Sequence, residues 1–134
     1  MRPFEFVIRS RPVSQQTRRR ERLREWKEFV REAAARYWSS THAPANGPVC
    51  LTLVYLYDEA ALDVDNVIKP IQDALIGLAF PSDSLVTDAI SRRRQLRGAF
   101  DLTRVSSVLI EGFEYGGEFV YVHVGDAPPQ EQLL

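Results

Sequence analysis

The nine-residue run Val49–Tyr57, V-C-L-T-L-V-Y-L-Y, limits the possible folds more than any other part of the chain. It is nearly all apolar and rich in β-branched and aromatic residues. That predicts a central strand covered on both faces. After the loop Asp58–Leu62, the spacing of Val67, Ile68, Ile71, Leu75 and Leu78 predicts a helix with one apolar side. Asp65 or Asn66 is its expected cap, with Pro70 in or near its first turn, where a missing N–H costs least. Upstream, Leu23, Trp26, Val30, Ala33 and Tyr37 recur three or four apart and predict a longer helix over 18–38, with Thr17 as a candidate cap. Before it, residues 4–8 alternate as a short strand, with Phe4, Phe6 and Ile8 inward.

Downstream, Leu85–Leu96 reads as a strand. Arg104–Phe113 and Glu118–Val124 read as two more, joined in a hairpin by Tyr115-Gly116-Gly117. The tail from Gly125 carries two prolines and is expected to fray. The predicted class is α/β (α+β in layout): a small mixed sheet with two main helices packed on it. One domain, 1–134, comprises a basic strand and helix (1–42), an acidic core (49–97), a hairpin (104–124) and a tail (125–134).

Charge is divided unevenly. Residues 1–42 hold 11 Lys and Arg against 5 Asp and Glu, while residues 43–134 hold 6 against 13. A basic arm beside an acidic centre suits an enzyme that grips phosphates with one part and a cation with the other. Intramolecular charge pairing is the plainer alternative. The run Arg18-Arg19-Arg20 falls where the helix dipole disfavours positive charge, so it reads either as a nucleic-acid contact or as a solvated helix end. On the same helix Glu21 with Arg24 and Glu32 with Arg36 are at pairing distance. Arg92-Arg93-Arg94 forms a second basic patch.

No apolar run approaches membrane-span length, and the N-terminus lacks the apolar stretch of a secretory leader. The one cysteine, Cys50, cannot form an internal disulfide and is expected to be a buried reduced thiol. The expected location is the cytoplasm.

The chemistry is concentrated in D-V-D-N-V-I-K-P-I-Q-D-A-L-I-G-L-A-F-P-S-D, residues 63–83. Carboxylates repel one another, and a fold that gathers them commonly does so around a hard divalent cation such as magnesium. Asp63 and Asp65, two apart in an extended segment, point the same way, just before a helix N-terminus that favours anions. Lys69 follows Asp65 by one helical turn and Asp73 follows Lys69 by another. Asp73 can therefore tether Lys69, and Lys69 can reach a phosphate. Asp83 joins them only through folding. This is the chemistry of a metal-dependent nuclease. A bare D-x-D would instead be an ordinary helix cap.

The longer pattern resembles the RusA-like Holliday-junction resolvases, whose motif is approximately D-x-D-N-x-x-K-x-x-x-D-A-L, then a short loop, a D-D pair and a hydrophobic residue. Asp63, Asp65, Asn66, Lys69, Asp73, Ala74 and Leu75 match in order and spacing. Asp83 and Val86 match the second acid of the pair and the residue beyond it, and Arg93 stands where a basic residue is common. The likeness spans about 58–94. It implies a RusA-like fold and a magnesium-dependent endonuclease (manganese a possible substitute) acting on branched DNA as a homodimer. Asp63, Asp65 and Asp83 would bind metal, and Lys69 would be catalytic. Asp73 and Asn66 would support them, and Arg18, Arg19, Arg20, Arg92, Arg93 and Arg94 would position DNA. No small-molecule cofactor is implied. Ser82 stands in place of the first acid of the D-D pair. The alternatives are a relative that cuts forks, flaps or RNA, and a nucleic-acid-binding subunit without chemistry.

Other polar candidates carry little. His42 and His123 have no local ligand partner, and Ser82 and Ser84 have no nearby histidine to activate them. Trp26 and Tyr37 sit at core spacing. Gly116-Gly117 lacks the lysine and helix of a phosphate loop.

Overall fold

A computed structural model describes residues 1–134. Val49–Tyr57 is a strand, β2, with the predicted bounds, and Phe4–Ile8 forms β1. β2 lies inside a four-stranded sheet. It pairs antiparallel with β4 (Phe119–Asp126) and parallel with β3 (Val86–Gln95), and β1 flanks β4, giving the order β1-β4-β2-β3. Parallel pairing of consecutive strands requires a crossover, supplied by the helix Val64–Leu75, α2. The longer helix, α1, spans Arg20–Tyr37.

Strand alternation divides the side chains between two unequal faces. Phe4, Phe6, Ile8, Leu51, Leu53, Tyr55, Val120, Val122 and Val124 point to one face. There they pack against Leu23, Trp26 and Val30 of α1 and Val67, Ile71 and Leu75 of α2. The opposite face is only partly covered, so β2 is central as expected but not buried on both sides. Cys50, Thr52 and Val54 are half-buried there, and Cys50 lies beside the Thr52 hydroxyl rather than inside the core.

The cover on that face is a third helix, α3 (Ser107–Glu114), where a strand was expected. Ser106 caps it, its hydroxyl accepting from the Leu109 N–H at 3.2 Å. Val108, Leu109 and Phe113 then pack on Val7, Leu56 and Phe119. Gly112 allows the close approach, since a Cβ there would lie 2.1 Å from the Phe119 ring. The 104–124 hairpin therefore does not form. Gly116, at φ +83°, ends the helix in the left-handed conformation rather than turning between strands.

Three local expectations also change. The N-cap position of α2 is Asp63, without a side-chain cap bond, so Asp65 and Asn66 lie inside the helix. Pro70 falls beyond the first turn; lacking an N–H, it leaves the Asn66 carbonyl open, and the Gln15 N–H of the β1–α1 loop fills it at 3.0 Å. Arg19, not Thr17, occupies the N-cap position of α1, without a side-chain cap bond. Of the two pairs expected on α1, Glu21–Arg24 forms at 3.0 Å and Glu32–Arg36 does not. The tail is pinned where it begins: the Asp126 carboxylate takes the Met1 ammonium, and the Ala127 N–H donates to the Pro48 carbonyl at 3.1 Å. No helix is long and apolar enough to cross a membrane.

Candidate active site

α1 and α2 run side by side in the same direction. The rungs between them are Gln15 N–H to the Asn66 carbonyl, Lys27 to Asp73 at 3.4 Å, and Arg31 Nη1 to the Ile76 carbonyl at 2.8 Å. Both helix N-termini therefore lie at one end of the molecule. Arg18, Arg19 and Arg20, all exposed, stand there at the start of α1, and Asp63 and Asp65 stand at the start of α2.

The entry to α2 is fastened to the edge strand β3. The Ser91 hydroxyl donates to the Val64 carbonyl at 2.7 Å, and Arg93 Nη1 donates to the Leu62 carbonyl at 3.1 Å. The same Arg93 nitrogen lies 3.7 Å from an Asp63 oxygen. Farther back, Gln95 Nε2 donates to the Asp58 carbonyl at 2.8 Å. Arg97 binds the Asp58 carboxylate at 3.0 Å and holds that carboxyl below its usual range. The basic patch 92–94 is divided by strand alternation. Arg93 faces α2 and the acidic residues. Arg94 lines an apolar pocket with Val54, Leu56, Phe100 and Leu102 on the opposite side, and Arg92 shares its alternation.

One turn into α2 from Asp65, Lys69 donates to Asp73 Oδ1 at 2.7 Å and lies 3.8 Å from Asp83 Oδ2. Asp73 presents its other oxygen to Lys27. Lys27 and Lys69 are the only lysines in the chain, and both grip the same carboxylate. Lys27 lies in no motif, and only the packing of α1 on α2 brings it to Asp73. The hydrogen bond to Asp73, with Asp83 adding its charge, raises the Lys69 pKa against a smaller effect of burial. Lys69 is thus an ammonium donor at neutral pH and not a general base.

Asp83 arrives by way of Gly77, whose φ of +86° turns the chain out of α2, and it opens a short 3-10 turn at Asp83–Leu85. Ser82 caps that turn, accepting from the Ser84 N–H at 3.2 Å. Serine and aspartate are near-equal caps, so the residue that departs from the motif performs a task open to either.

The three predicted metal-binding aspartates do not converge. No three Asp, Glu, His or Cys side chains meet closely enough to hold a metal ion. Asp63 faces Arg93, Asp83 faces Lys69, and Asp65 has no ion-pair partner. The Asn66 carbonyl, by contrast, is engaged by Gln15. His42 is structural: its Nδ1 accepts from the Ser39 N–H and its ring packs on Phe4 and Trp38.

A family model described as Endodeoxyribonuclease RusA matches residues 5–99, more than two thirds of the chain. The chain belongs to the RusA family. The matched span holds β1 from Glu5 onward, α1, β2, α2, β3 and every residue of the acidic constellation, and leaves α3 and β4 outside. Membership makes the chain a nuclease of the endodeoxyribonuclease class. No curated protein matches it.

Proposed function

We propose that this RusA-family chain is a divalent-metal-dependent endonuclease that cuts branched DNA, such as a Holliday junction, as a homodimer. The supporting observation is the position of Lys69, held between Asp73 and Asp83 one turn from Asp65, within the family-matched span.

The donor chemistry suits magnesium, with manganese as a substitute: Asp63, Asp65 and Asp83 offer only carboxylate oxygens, as hard cations prefer. Side-chain exposure is 75% for Asp63 and 51% for Asp83, so both can swing toward a shared ion. When bound, the ion activates a water and offsets charge on the phosphodiester. Lys69 donates to a phosphate oxygen, and Asp73 with Lys27 keeps its ammonium in place. Arg93 gains a phosphate in exchange for Asp63. Arg18–Arg20 grip the DNA backbone from the same end, while Arg92 and Arg94 lie away from this site.

Cleavage of four-way junction, fork, flap, single-stranded and RNA substrates, each with and without magnesium, tests the reading. Magnesium-dependent cutting strongest on the junction is expected. Stronger cutting of another substrate would reassign the specificity. The separation of the three carboxylates favours a second reading, a junction-binding subunit without chemistry. That reading predicts junction binding with no cleavage and no saturable metal site.

A further inference from the structure

We infer that Glu118 is a positioning residue of the proposed nuclease centre, its carboxylate clamping the two loops that set the N-terminus of α2. The inference rests on the nuclease reading above. Glu118 lies just before β4, beyond the matched residues 5–99, and its side chain is 15% exposed. It accepts from the Tyr55 hydroxyl at 2.6 Å, from the Asp58 N–H at 3.2 Å, and from Arg11 Nη1 at 3.1 Å to each oxygen. Arg11 Nη1 also donates to the Tyr55 oxygen at 3.1 Å. Burial and the bond to Glu118 push the Tyr55 hydroxyl up, so it remains a donor through the neutral range.

These donors come from three separate places: the β1–α1 loop, strand β2, and the loop between β2 and α2. Both loops lead to the same turn. From Arg11 the first reaches Gln15, whose N–H is bound to the Asn66 carbonyl. From Asp58 the second reaches Asp63 and Asp65. Glu118 therefore fixes the common origin of two segments that meet where the proposed metal ligands stand. Only a carboxylate suits the place. All its neighbours are donors, and the amide of glutamine would turn an N–H against one of them.

Amide hydrogen exchange on the full chain, with cleavage measured against magnesium concentration, tests the clamp in Glu118→Gln and in the milder Tyr55→Phe. Arg24→Ala, which removes an exposed pair, is the control. Glu118→Gln should speed exchange at 11–16 and 58–66 by about tenfold or more, the scale of a lost charge-assisted bond, while β2 and β4 keep their protection. It should also raise the magnesium needed for half-maximal cleavage by roughly tenfold. Tyr55→Phe should act in the same direction, less strongly. A uniform rise across the sheet, or unchanged exchange in both loops, would overturn the clamp. An unaltered magnesium requirement would overturn its link to the site. If Glu118→Gln does not fold, Tyr55→Phe decides by the same criteria. A wild-type chain that cuts nothing would defeat the nuclease reading, and the exchange pattern would still judge the clamp.

Discussion

Asp73 accepts from Lys69 and pairs with Lys27, the chain's two lysines, and that arrangement fixes what Lys69 can contribute. A tethered ammonium with a raised pKa serves as a charge and a donor. Replacing Lys69 with methionine removes the donor and should slow junction cleavage by about a hundredfold, the cost of one transition-state donor. Lys27→Ala loosens Asp73 alone and should cost about tenfold. Equal losses in the two variants would show that Lys27 does more than support. The pH dependence follows from the sign of the shift. A base whose pKa is raised on folding adds stability that is complete below its unfolded value and is lost as pH rises through its folded one. The stability gap between wild type and Lys69→Met should therefore hold steady from neutral pH to 10.5 and close above it. Denaturant midpoints across that range check this, and a gap closing near neutrality would contradict it. Within the candidate site the Lys69–Asp73 pair was legible from its one-turn spacing, whereas the separation of Asp63, Asp65 and Asp83 was not. Lys27 and Glu118 were not, because only tertiary packing brings them to Asp73 and Asp58.

Among the elements, α3 shows where local reading stops. Val105, Val108 and Ile110 are β-branched and suggest a strand. The Ser106 cap and the packing of Val108, Leu109 and Phe113 on the half-covered sheet face override that preference. β1 and β2 were legible because their alternation and apolar run point to burial directly. Pro70 was misplaced because its missing N–H is compensated by Gln15, a partner distant in sequence. The fit of α3 depends on Gly112. Gly112→Ala forces a methyl into the Phe119 ring and should lower unfolding free energy by roughly 1–3 kcal/mol in urea. An unchanged midpoint would mean that α3 does not rest on β4 at that point.

At the scale of the whole molecule, the parallel course of α1 and α2 brings the basic start of one and the acidic start of the other to the same end. A chain with a net charge of −1 can thus present cations to DNA without a basic surface overall. If Arg18–Arg20 contact phosphates, replacing all three with alanine should reduce the slope of log binding constant against log salt by up to about 3. An unchanged slope would place the DNA elsewhere. The central claim, that the acidic turn at the start of α2 is a metal-dependent nuclease centre, is tested most directly by Asp65→Asn on a four-way junction in magnesium. Asp65 is exposed and makes no ion pair, so the fold should stand and junction binding should persist. Cleavage should fall by more than about a hundredfold, beyond the loss expected for a merely supporting group. Cleavage at the wild-type rate would contradict the account.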